Sequence, residues 1–228
     1  MAKPAKLTPL LHRDDPDKAP LVGNIKVTKQ DWLNVAKDVL ISDGVEHVKV
    51  LALGDRLGVS RSSFYWYFKS RQDLLDALLQ DWENTNTAAL VAKADAPADT
   101  ITGAVCNVFE CVIDPDLFNT SLDFAVRAWA RSSGKVRRVL DRSNAARLQA
   151  LTRMFLRYGY DPLEAETRAR ILYFTQIGYD DADLQESMEE RNRMVPMYLL
   201  GFTGQHARPE EIAALHARTR AIAKARGG

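Results

Sequence analysis

The chain has 228 residues, 46% of them apolar and 27% charged, which is long enough for one large domain or two small ones around a sizeable core. A formal net charge of +1 excludes a wholly basic nucleic-acid coat but leaves room for a small basic face. Only 12 Gly and 9 Pro interrupt Leu-, Ala- and Arg-rich stretches, so the chain reads as all-α.

Residues 1–25 carry four prolines and no apolar period, the composition of a flexible arm. That arm is either inert or a polyanion contact through Lys3, Lys6, Arg13 or Lys18. Order begins at Thr28, which caps a helix with Asp31 at its third position, close to a capping box. Trp32, Val35, Ala36, Val39 and Leu40 follow at helical spacing, and Gly44 stops the helix. A second, short helix covers about 49–57, its Leu53 and Leu57 turned toward the first. Gly58 breaks it, and Ser60 caps a third helix running to about Phe68. Two short helices across a tight turn are the grammar of a helix-turn-helix. Ser70, with Asp73 three residues on, opens a fourth helix bearing Leu74, Leu75, Leu78, Leu79 and Trp82.

Beyond the linker AKADAPAD the chain predicts five or six more helices, about nine or ten in all. One carries Ile101, Val105, Val108, Phe109 and Val112. Asp114-Pro115 opens the next, which carries Leu117, Leu122, Ala125 and Trp129. A long helix spans about 135–158 and ends at Gly159, and Asp161-Pro162 restarts the chain. Pro196 interrupts a helix near 186–202, and a last one covers about 209–225. The domains expected are an arm over 1–25, a three-helix helix-turn-helix domain over 26–72, and a helical ligand-binding and dimerisation domain over 73–228.

The stretch GVSRSSFYWYF, 58–68, carries the function. On a helix, Phe64 and Phe68 fall i, i+4 and pack inward, which leaves Arg61, Ser62, Ser63, Tyr65 and Tyr67 outward. From Ser60 to Arg71 there are three bases and no acid, Lys69 among the bases. Short hydroxyls let a backbone approach phosphate or base, an arginine forks onto guanine, and tyrosines bond phosphate or lie against sugar and thymine methyl. Arg71, in the first turn of the fourth helix, reaches a phosphate more readily than it suits the local dipole.

Residues 44–79, GVEHVKVLALGDRLGVSRSSFYWYFKSRQDLLDALL, resemble the DNA-binding domain of the TetR family of bacterial transcriptional repressors. The resemblance implies a homodimer, double-stranded operator DNA with two half-sites, and a C-terminal helical domain whose pocket takes a small-molecule inducer. It places Arg61, Ser62, Ser63, Tyr65 and Tyr67 where family members touch DNA, and Arg71 where a phosphate-contacting lysine is usual. The chain departs at Val50, where a capping threonine is common, at Leu51, where a polar residue is frequent, and at Gly54, in place of an alanine.

In the carboxyl half, Phe109, Trp129, Phe155 and Tyr173 are the aromatic candidates for lining a cavity, with Asn107, Arg127 and Gln176 as polar partners and Glu110 beside them. The helices near 163–179 and 186–202 resemble the family's dimerisation pair, with Ala165, Ala169, Leu172, Tyr173, Gln176 and Ile177 as the facing residues; the alternative is an ordinary intramolecular helix pair. No metal or cofactor is expected, and nothing suggests an enzyme: the four histidines accompany no nucleophile motif, phosphate loop or metal spacing. Cys106 and Cys111 fall about 140° apart round a helix, unsuited to a disulfide. With no long apolar segment and no leader, no membrane partner is expected, and a cytoplasmic location with reduced thiols is. A second function class stays open beside the repressor: a dimeric small-molecule-binding or scaffold protein with little operator affinity, motivated by Val50 and Leu51.

Overall fold

The computed structural model describes residues 27–182, 184 and 186–225, so the arm expected over 1–25 lies outside the described residues. The described residues are helical with no strand, and the all-α expectation holds. The chain divides into two compact units, 1–79 and 80–228.

In the first unit, Thr28 caps α1 (Lys29–Ser42) through a full capping box: its hydroxyl accepts from Asp31 N at 3.2 Å, and its own N–H donates to Asp31 Oδ2 at 2.7 Å. One face of α1 buries Trp32, Val35, Ala36, Val39 and Leu40. Gly44, at φ 82°, supplies the left-handed turn into a short 3-10 segment, Val45–His47. α2 (Val50–Leu57) starts at Lys49 with no side-chain cap and ends at Gly58. A Cβ on Gly54 would stand 3.1 Å from Val59 O, so glycine here lets the turn close tightly over α2.

α3 is a single turn, Arg61–Phe64, and not the helix to Phe68 that the spacing predicts. Ser60 makes no capping bond; its hydroxyl pairs with that of Ser62 at 2.7 Å. Both Tyr67 N and Phe68 N donate to Phe64 O, which ends the helix and lets both phenyl rings enter one core. Phe64 sits edge-on to Trp32, with centroids 5.2 Å apart, and stacks on Phe68 at 5.4 Å. α4 (Arg71–Trp82) then begins as expected, with Asp73 N on the Ser70 hydroxyl at 3.2 Å.

The second unit is an all-helical core. A π-helical turn, Glu83–Thr87, leads into α5 (Ala88–Asp95), followed by α6 (Ile101–Ile113), α7 (Thr120–Ala130) and α8 (Gly134–Arg157). Then come α9 (Pro162–Asp181), α10 (Met188–Thr203, with Pro196 inside) and α11 (Pro209–Ala225). α8 packs on α5, α7 and α9, while α6 packs on α5, α10 and α11. Asp114-Pro115 does not open α7. Asp114 instead folds an Asx turn, its carboxylate accepting from Asp116 N at 3.0 Å, and Asn119 caps α7 through Leu122 N at 2.8 Å.

The residues assigned to the dimer face are also corrected. Ala165, Ala169, Leu172 and Tyr173 are buried within their own subunit, because α9 lays that stripe on its unit's own core. Its opposite stripe, Leu163, Ile171 and Phe174, is exposed, as are Met194 and Met197 of α10.

Candidate nucleic-acid interface and C-terminal cavity

The candidate reading face is built on the two phenylalanines beneath it. With Phe64 and Phe68 buried, Arg61, Ser62, Tyr65 and Lys69 stand exposed and Ser63 half-buried. Arg61 is pre-set by Tyr65: its Nη2 and Nε donate to the Tyr65 hydroxyl at 2.8 and 3.2 Å. That bond holds the guanidinium along the outer edge of α3 and leaves Nη1 for another acceptor. Trp66 is 85% exposed and, with Ser60, Ser62, Ser63 and Tyr67, lines a shallow groove. Sequence reasoning passed it over, although it lies two residues from each buried phenylalanine, about 200° round a helix from both.

Two predicted residues have other work in the fold. Arg71 donates through Nε to Val48 O at 2.6 Å and through Nη2 to Val45 O at 2.5 Å, tying the start of α4 to the 3-10 segment. The Tyr67 hydroxyl donates to Val27 O at 2.7 Å, which anchors the chain ahead of α1.

The second unit encloses a cavity of about 40 Å3 between α5, α6, α7, α8 and α9. Phe109, Arg127, Tyr173 and Gln176, all predicted, line it. Trp129 and Phe155 do not: both are buried elsewhere, Phe155 edge-on to Tyr160. Asn107 donates to Pro97 O at 3.3 Å, away from the cavity, and Glu110 pairs with Lys93 and Arg218.

The cavity wall carries a polar network that sequence reasoning missed. Asp123, 6% exposed, accepts from Trp82 Nε1 at 2.8 Å and pairs with Arg147 Nη1 and Arg127 Nε, each at 2.9 Å. Burial alone would raise its carboxyl; the two guanidinium charges outweigh that and hold it below the usual range. Arg127 Nη2 continues to the Tyr173 hydroxyl at 2.9 Å, which itself donates to Asn144 Oδ1 at 2.7 Å. Arg147, 0% exposed, is flanked by the rings of Trp82 and Phe118 and donates through Nε to Thr87 Oγ1 at 3.1 Å. Asp180 lines the same cavity, and burial pushes its carboxyl up to about 6. Position 147 was legible in principle: it falls in the buried register Val136, Leu140, Ser143, Ala150, Met154, where an arginine demands partners.

Among the described residues no group of His, Cys, Asp and Glu forms a metal site, and no helix is long and apolar enough to cross a membrane. Cys106 and Cys111 are free and buried, and burial pushes their thiols up to about 11 and about 12, away from reactivity.

A short helix set by a tight turn after α2 over a Trp-Phe-Phe core, followed by an all-helical unit, has the helix-turn-helix form. Residues 33–78 match the model for bacterial regulatory proteins of the tetR family. Among curated relatives, the class A tetracycline repressor from transposon 1721 of Escherichia coli is 35% identical over 70 residues, 31% of this chain and 32% of that protein. The Escherichia coli class C repressor is 34% identical over 55 residues, covering 24% of this chain and 25% of that one. The match thus spans a third or less of those relatives' length. The solved structures agree in fold across most of the chain. A transcriptional regulator from Rhodococcus sp. Rha1 superposes with a TM-score of 0.57 at 17% identity, covering 83% of this chain and 96% of the other. AmtR of Mycobacterium smegmatis gives 0.55 at 16%, covering 86% and 95%.

Proposed function

We propose that this protein is a cytoplasmic transcriptional repressor that binds a two-half-site operator as a homodimer and is released by a small-molecule inducer held in the C-terminal cavity. One observation carries the DNA-reading half: an exposed, acid-free face of Ser60, Arg61, Ser62, Tyr65, Trp66 and Lys69 stands on a fully buried aromatic core. Arg61 reads a guanine edge in the major groove. Ser62, Ser63, Tyr65 and Lys69 contact backbone or bases beside it, with Trp66 supplying apolar contact to sugar or thymine methyl. Tyr67 and Arg71 serve this face chiefly from behind, by fixing the segments that present it. The exposed apolar stripe of α9 with Met194 and Met197 of α10 supports self-association, since a two-fold interface meets its own copy.

A gel shift of the full chain against the region upstream of its own gene tests this. Saturable binding at low salt, lost steeply as salt rises, is the expected result. No retardation at any protein concentration favours a second reading, a dimeric ligand-binding or scaffold protein with little operator affinity. That reading draws on the uncapped start of α2, the exposed Leu51 and the intramolecular engagement of Arg71.

A further inference from the structure

Arg147 is the feature of the second unit that the fold alone does not account for. Its side chain is wholly buried and lines the cavity, yet Nη2 has no hydrogen-bond partner, although Nε holds Thr87 and Nη1 holds Asp123. A buried guanidinium N–H left unmet is costly, so the site is incomplete by one acceptor. The nearest carboxylate oxygens are already engaged. Asp123 Oδ1 meets Trp82 and Arg147, Asp123 Oδ2 meets Arg127, and Asp180 Oδ1 meets the Gln176 amide at 2.8 Å.

We propose that the cavity takes the carboxylate of a small, mainly apolar monocarboxylic acid, with Arg147 Nη2 donating to one of its oxygens. The proposal rests on reading the second unit as a ligand-binding unit and names the ligand's class. Charge supports an anion: Arg127 and Arg147 share the single carboxylate of Asp123. The one further acid in the wall, Asp180, is pushed toward its neutral form by burial and by Asp123, against the pull of Gln176, Arg191 and Arg127. A cation would meet two guanidiniums. Arg147 Nη2, the fully buried donor of the wall that no acceptor meets, matches one carboxylate oxygen. The rest of the wall, Leu90, Val108, Leu151, Leu172 and Ile177, suits a hydrocarbon tail. At about 40 Å3 the cavity admits a head group and roughly three waters' worth of space, so seating the tail spreads the surrounding helices.

Bringing a second anion near Asp180 favours its protonation, so the acid binds together with a proton and its affinity rises as pH falls from about 7.5 toward 6.

The test is calorimetric titration of the full chain with straight-chain acids from butanoate to decanoate and with their matching primary amides, alcohols and amines. The best acid is expected to bind at least tenfold tighter than its amide, the amine weakest of all. Arg147→Lys keeps the charge but removes the forked donor, and narrows the acid–amide gap about tenfold. Asp180→Asn tightens acid binding several-fold at pH 7.5 and flattens its pH dependence, an arm that stands even if the Arg147 variant does not fold. Amides or amines binding as well as acids would overturn the proposal and leave the ligand-binding reading standing. No heat from any compound would overturn both, water alone filling the cavity.

Discussion

Arg61 and Arg71 carry the same charge and are given opposite tasks by their partners. Arg61 is exposed, steadied only by Tyr65, so Arg61→Ala is expected to relax preference at one base pair per half-site by roughly 1–3 kcal/mol while binding to unrelated DNA changes little. Affinities over a set of single-base operator variants check this. Arg71 is engaged with two backbone carbonyls, and Arg71→Ala is expected to lower the first unit's stability by about 1–2 kcal/mol in a urea titration, by leaving Val45 O and Val48 O unmet. Asp180 makes a third prediction, with a defined sign. Its folded pKa, about 6, stands above the unfolded value of 3.8, so its favourable share of stability is complete below about pH 4 and lost as pH rises through 6. Asp180→Asn should therefore stabilise the protein at pH 7.5 by about 1–2 kcal/mol, discounted for partial solvation, and change nothing at pH 3.5 in thermal melts.

Helices announced by a cap and an apolar stripe were legible in the sequence. Thr28 with Asp31, Ser70 with Asp73 and Asp161 with Pro162 each open a helix where the residues say, because a cap satisfies backbone donors within one turn and needs no distant partner. Thr28→Ala is expected to cost about 1 kcal/mol, read by chemical denaturation. The misses share a cause. α3 stops at Phe64, where Tyr67 N and Phe68 N both close on Phe64 O, and Asp114 spends its carboxylate on a turn; both are decided by where the chain has to go next. The cavity was half legible for the same reason. Phe109, Arg127, Tyr173 and Gln176 were drawn from apolar stretches by residue type, whereas Asp123 and Arg147 matter through cross-helix pairing and Asp180 through burial, neither of which a local pattern encodes.

For the whole molecule, the proposed function gives each unit one exposed face to use: the face of Arg61, Tyr65 and Trp66 in the first, and the apolar stripe of α9 and α10 in the second. The stripe that looked suited to a partner subunit serves the protein's own core, and its neighbour around the helix is the one left bare. Phe174→Glu combined with Ile171→Glu is expected to convert a dimer to a monomer by size-exclusion chromatography with light scattering, without loss of helical signal. Such a monomer should bind operator at least a hundredfold more weakly, since each reading head then holds on alone.

Footprinting the full-length protein on its own upstream DNA at about 50 mM salt tests the central claim most directly. Two protected half-sites on one side of the duplex, separated by about one helical turn or a multiple of it, both lost in Arg61→Ala combined with Trp66→Ala, is the predicted pattern. Protection that survives that double substitution unchanged would show that the surface built on Phe64 and Phe68 is not what meets the groove.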